Sequence, residues 1–227
     1  MRSFRLFHIG VFFLLIANLN SCSNSSGSAP TTLSIPGVGS TFVFHHYDVD
    51  SSGRMIDSTQ AFDTITVTGR ELSYMGKTHV TQLTSARGHT LYTNLETNGD
   101  FSEYVQSQGQ PGDKSGWFTI SMAPNSKSVF VIYDSVKFAV RDTTIIRYTY
   151  LRSRTQSMAG QNFHVIDFDE SEFGAGTPDG MSYGPTTEWY SPDVALFVGT
   201  DRPPFHLTNG FGWNPGYHSE ISSFHLQ

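Results

Sequence analysis

Four acids crowd into the six residues DFDESE, 167 to 172. If the alternation of the preceding NFHVI continues, Asp167 and Asp169 share one face of a strand. There they could bind a hard cation or work as an acid–base pair, with Glu170 as the third acid within reach. The competing reading is a solvated strand end running into the glycine-rich stretch at 173. Acids at strand ends are common, so no metal site is assigned. DVDSSGRMID, 48 to 57, has the Asp-x-Asp-x-Ser-Gly front of a calcium loop. Counting from Asp48 puts Thr59 at position 12, where such a loop needs a bidentate glutamate. FVFHHY and MIDST on either side alternate like strands. A hairpin turn, with Asp bonding its own backbone and Gly53 supplying positive φ, is the expectation.

Other chemistry is sparse. Histidines 45, 46, 79, 89, 164, 206, 218 and 225 show no tight zinc spacing, and the adjacent His45 and His46 point to opposite faces of a strand. There is no Gly-x-Ser-x-Gly elbow, no phosphate-binding glycine loop and no dinucleotide fingerprint. No catalytic residue, cofactor or enzymatic activity is therefore expected.

The amino terminus is more informative. Arg2 and Arg5 precede an apolar run from Ile9 to Ala17, too short for a spanning helix, and small residues follow. Residues 1–21 are expected to be a cleaved export signal. Leu19-Asn20-Ser21-Cys22 resembles the lipobox of bacterial lipoproteins, with Asn20 where a small apolar residue or Ser is usual. The resemblance implies lipid attachment at Cys22 and a chain anchored in the cell envelope; Ser23 after the cysteine implies the outer membrane. Cys22 is the single cysteine of the chain, so it has no disulfide partner within it. Residues 22–35, rich in Ser, Asn and Gly at their start, then read as a lipidated flexible tether, and 36–227 as one domain.

The whole chain carries a formal charge of −6, and residues 1–21 hold two arginines and no acid, which leaves −8 on the remainder. With four lysines and no basic cluster, nucleic acid is excluded as a partner. Eighteen Phe, ten Tyr and abundant Ser, Thr and Gly favour strands. Period-two alternation recurs in STFVFHHY, DTITVTG, HTLYTNLE, SGWFTISM, SVFVIYD, VKFAVRD, TIIRYTYLR, NFHVIDFD, TEWYS, VALFVG and HSEISSFHL. Roughly ten to thirteen short strands follow. Asn98-Gly99 marks a hairpin, and longer loops are expected at 107–116, 173–185 and 201–216. Close spacing makes the pairing antiparallel.

Residues 186–201, TTEWYSPDVALFVGTD, pair two strands across a Pro-Asp turn, with Trp189 and Phe197 available to a core. This resembles a pattern in secreted and lipid-anchored β proteins similar to periplasmic lipoprotein-carrier half-barrels. The resemblance implies an all-β domain built as a single antiparallel, strongly curved sheet or half-barrel; a β-sandwich is the alternative. The resemblance carries over no binding residues; one open function is a binding or carrier module for an apolar or amphipathic ligand, with Phe205, Phe211, Trp213 and Tyr217 as a rim. The other open function is an envelope interaction or structural protein presenting loops to protein or glycan.

Overall fold

The computed structural model describes residues 33–106, 113–137, 140–175, 183–206 and 213–227. The lipobox-like segment with Cys22 and the loop residue Phe211 lie outside them. The strands are β1 Thr41–Val49, β2 Ala61–Tyr74, β3 Lys77–Ser85, β4 Thr90–Leu95, β5 Phe101–Val105, β6 Gly116–Ile120 and β7 Lys127–Lys137. They continue with β8 Val140–Met158, β9 Gln161–Ala175, β10 Tyr183–Ser191, β11 Leu196–Arg202, β12 Phe205–His206, β13 Trp213–Asn214 and β14 Gly216–His225. Among the described residues the only helical element is a 3-10 turn at Asp57–Thr59.

Twelve strands form one sheet in the order β6-β5-β4-β3-β2-β1-β14-β11-β10-β9-β8-β7, and β12 pairs with β13 alone. Every ladder is antiparallel, as the short turns require. The order begins and ends with β6 and β7, which are neighbours in the chain, so the sheet curls round until its two edges meet. Phe118 of β6 and Phe130 of β7 stack there, 4.8 Å apart at 8°. The expected single curved sheet is present, and it passes beyond a half-barrel to a nearly closed barrel with a seam.

Closure is visible inside. Phe101 of β5 lies 4.9 Å from Tyr190 of β10 and 5.4 Å from Phe197 of β11, although six strands separate β5 from β10 along the sheet. Phe101, Ile120, Ile166, Phe168 and Tyr190 form one buried cluster. A second gathers Phe42, Phe44, Val67, Leu83, Phe163, Val194, Val198 and Ile221, among others. Burying each such side chain contributes about 1.5–3 kcal/mol.

Two expectations are corrected. VKFAVRD is not one strand: it holds the end of β7 and the start of β8. The stretch 173–185 is shorter as a loop than predicted, since β9 runs to Ala175 and β10 begins at Tyr183. β3 was not among the expected strands. Its buried residues Val80 and Leu83 are three apart, a spacing that breaks period two, and the β2–β3 register shifts between Gly69 and Leu72 and again before Tyr74. His79 takes a positive φ of 59° at this irregularity. Between the Leu83 and Val80 pairings the extra residues lie on β2, and β3 keeps a regular ladder to β4 from Thr81 to Thr84, so Val80 and Leu83 fall on opposite faces. The hairpin at Asn98-Gly99 is as expected, with Gly99 at φ 87° and the Glu96 N–H donating to the Asp100 carbonyl.

Candidate functional site: the barrel interior

Asp50 Oδ1 accepts hydrogen bonds from Ser52 N–H, Ser52 Oγ and Arg54 N–H, and Gly53 sits at φ 78°. Hydrogen bonding from Ser52 and Arg54 holds the Asp50 carboxyl below its usual range. The stretch is a turn whose carboxylate is committed to its own backbone. His45 and His46 do face opposite ways: His45 stacks on Phe62, His46 on Tyr217.

The acids of 167–172 divide between the two faces of β9. Asp167 is 1% exposed and receives Arg152 Nε at 2.8 Å and Arg154 Nε at 2.8 and 3.0 Å. Two guanidinium groups occupy the oxygens a cation would use. Arg154 lies 5.0 Å over the Trp189 ring, and Trp189 is seated on Gly199, where any Cβ would overlap the indole. Asp169, two residues on, shares this face and accepts from Ser171 Oγ at 3.3 Å. Glu170 points the other way. Among the described residues no group of three acid, His or Cys side chains is placed to hold a metal.

Glu170 belongs to a different assembly. Residues directly opposite in a ladder share a face. Glu170 stands opposite Tyr148, and Tyr148 opposite Ser128; Glu188 stands opposite Phe168 and Thr200; Glu103 stands opposite Phe118 and Thr93. Glu103 is two residues from Phe101, whose ring crosses to Tyr190, so these rungs face the interior. Three carboxyl groups from β5, β9 and β10 thus converge within a barrel. Each is half-buried while enclosed by protein, as befits side chains bordering interior space.

Desolvation decides their chemistry. Burial, reinforced by Glu170, pushes Glu103 up to about 7. Burial and the charges of Glu170 and Glu103 push Glu188 up to about 8, against a hydrogen bond from Thr200 Oγ1 at 2.7 Å. Glu170 is also raised, chiefly by burial, although the Tyr148 hydroxyl donates to it. Burial likewise raises Tyr148 well above its ordinary value. The charged form loses hydration and, among the described residues, Glu103 and Glu188 gain no cation in exchange. The shifts all favour the protonated form, most strongly at Glu188, so the interior resists acquiring charge.

A cavity of about 200 Å³ is lined by residues of β1 to β5, among them Thr93, which stands opposite Glu103. Phe42, Val67, Leu83 and Phe101 form its floor, and Val194 and Leu196 of the β10–β11 turn region close one side. Arg70, Glu71 and His79 border it. Glu71 hydrogen-bonds His79 Nδ1, and Arg70 donates to the Pro36 carbonyl at 2.9 Å. Hydrogen bonding by His79 lowers the Glu71 carboxyl below its usual range. Of the expected aromatic rim, Trp213 is 58% exposed and Tyr217 faces the interior beside Ser219; neither borders this cavity.

Glu103 and Glu188 escaped the sequence reading, yet each carried a signal. In FSEYV, Glu103 has the parity of Phe101 and Val105; in TEWYS, Glu188 has that of Tyr190. An acid on the apolar side of an alternating strand is a mark of an interior polar group.

No protein-family model and no curated protein matches the chain. Solved structures do resemble it. A proposed lipoprotein from Parabacteroides distasonis aligns over 87% of this chain and 100% of its own, with 15% identity and a TM-score of 0.50. A proposed exported protein with a YmcC-like fold from Bacteroides fragilis covers 86% and 99%, with 14% identity and a TM-score of 0.48. The hypothetical lipoprotein YmcC from Escherichia coli covers 82% and 84%, with 12% identity and a TM-score of 0.38. At these identities the first likeness concerns the fold: the barrel architecture is one that a solved protein also adopts.

Proposed function

We propose that this chain is an exported cell-envelope lipoprotein, acylated at Cys22, whose barrel binds the apolar portion of a small amphipathic molecule. The observation that carries the binding reading is the cavity floored by Phe42, Val67, Leu83 and Phe101 and bordered by Arg70, Glu71 and His79. An apolar floor rewards burial of hydrocarbon, while a charged border offers partners to a polar head. At about 200 Å³ the space is below the usual range for drug-sized ligands, so it suits one short chain or ring and excludes a whole diacyl lipid. Support for the envelope setting comes from the signal-like start, the lipobox-like Leu19–Cys22 and two structural relatives named as lipoproteins. Anchoring by acyl chains needs no spanning segment. Outer-membrane placement follows from Ser23 under the sorting pattern noted above.

The test is organic extraction of protein purified from its native membrane, followed by mass spectrometry of both phases. The amino-terminal peptide should begin at an acylated Cys22, and the extract should hold a stoichiometric amphipathic compound. Thr81→Phe, which projects a ring into the cavity from β3, should lose that compound while keeping the acyl group. An unmodified, uncleaved amino terminus ends the lipoprotein reading. An empty extract, or one unchanged by Thr81→Phe, ends the carrier reading and leaves an interaction protein in its place.

A further inference from the structure

We infer that the seam between β6 and β7 is a gate in the barrel wall, shut while the glutamates behind it are uncharged and opened when they ionise. This does not depend on what the apolar cavity binds. Every other boundary in the twelve-stranded sheet is a backbone ladder. Among the described residues the seam holds no continuous ladder: it has the Phe118–Phe130 stack, a hydrogen bond from Ser121 N–H to Ser128 Oγ at 3.0 Å, a backbone bond from Lys114 N–H to the Ile132 carbonyl at 2.9 Å and an isolated antiparallel Asp113–Tyr133 bridge. The two edges can part at the cost of that one bridge and the side-chain contacts, with every continuous ladder intact.

The acids sit where they act on that boundary. Glu103 is one strand in from the β6 edge, on the rung of Phe118. Tyr148 and Glu170 continue the rung of Ser128, one and two strands in from the β7 edge. Glu188 follows on β10, held by Thr200 of β11. Ionised, Glu103 on one side of the seam repels Glu170 and Glu188 on the other, and low polarisability inside the barrel strengthens the repulsion. Glu172 and Asp169 of β9 add negative charge on Glu170. On β11 and β14, Arg202 acts on Tyr217, as does Asp48 of β1. Lys127 of β7 and Arg147 of β8 alternate to the opposite face from Ser128 and Tyr148. Among the described residues no cation acts on Glu103 or Glu188.

Hydrogen–deuterium exchange of the purified full-length protein tests this, with intrinsic rates corrected for pH. Between about pH 5 and about pH 9, protection of the β6 and β7 amides should fall about tenfold or more beyond any fall of the β1 and β14 amides, which follow global stability. In the Glu103→Gln, Glu188→Gln double variant the fall should vanish. If that variant does not fold, Glu103→Gln alone must at least shrink it. Equal seam protection at both pH values overturns the gate. So does a fall shared equally by β1 and β14, which is global loosening, or one that the glutamine variants leave unchanged.

Discussion

Asp167 and Glu170 lie three residues apart on β9, on opposite faces, and the protein treats their charges in opposite ways. Asp167 is sealed beneath two guanidinium groups and an indole. Glu170 meets a tyrosine hydroxyl and two further carboxyl groups. Burial alone does not set the fate of a carboxylate; the partner does. Asp167 has guanidinium partners on both oxygens, whereas the interior glutamates lack such partners among the described residues and burial shifts them towards the protonated form.

The sharpest way to break this contrast is Asp167→Ala. It leaves Arg154 uncompensated over Trp189, and urea denaturation at neutral pH should show a loss of about 3 kcal/mol, towards the low end for a broken buried pair because Arg152 stays solvated. Glu170→Gln should cost well under that. If the two variants are equally destabilised, the partners are not what separates the two faces.

The next effect is in the pH dependence. Glu188, at about 8 in the fold, lies above the ordinary value of 4.5, so the folded chain holds a proton that the unfolded chain releases. Stability from this group is therefore full at pH below about 4.5 and declines as pH rises towards about 8. Glu103, at about 7, acts in the same direction. Glu188→Gln should remove its share of the decline and gain on the order of 2 kcal/mol at about pH 9, with little change at about pH 4. A wild-type profile that instead rises over this range contradicts the assignment of uncharged interior acids.

The smallest effect isolates the hydrogen bond that Tyr148 offers Glu170. Tyr148→Phe should cost about 1 kcal/mol in thermal denaturation. A cost matching that of Asp167→Ala would mean the interior cluster is a structural keystone rather than a tolerated polar group.

Much of the architecture was legible because it is local. Period-two alternation exposes a strand whatever it pairs with, and Asp50–Gly53 and Asn98-Gly99 form turns because their side chains and positive φ values satisfy a tight bend. β3 was missed for an equally physical reason: its buried Val80 and Leu83 stand three residues apart, on opposite parities, so no one-sided alternation marks the strand. The site was far less legible. DFDESE looked like a single cluster, but alternation sends Asp167 and Glu170 to different faces, and Arg152 and Arg154 reach Asp167 only through the β8–β9 register.

Sequence by itself therefore determined the strand-only body, its turns, its acidic balance and the parity of each side chain, since these depend on neighbours a few residues away. Tertiary structure alone decided that the sheet closes on itself, that its edges meet through two phenylalanine rings, and that Glu103, Glu170 and Glu188 confront one another. Those groups lie up to 85 residues apart in the chain, and only the curvature of the whole sheet brings them into one low-dielectric space.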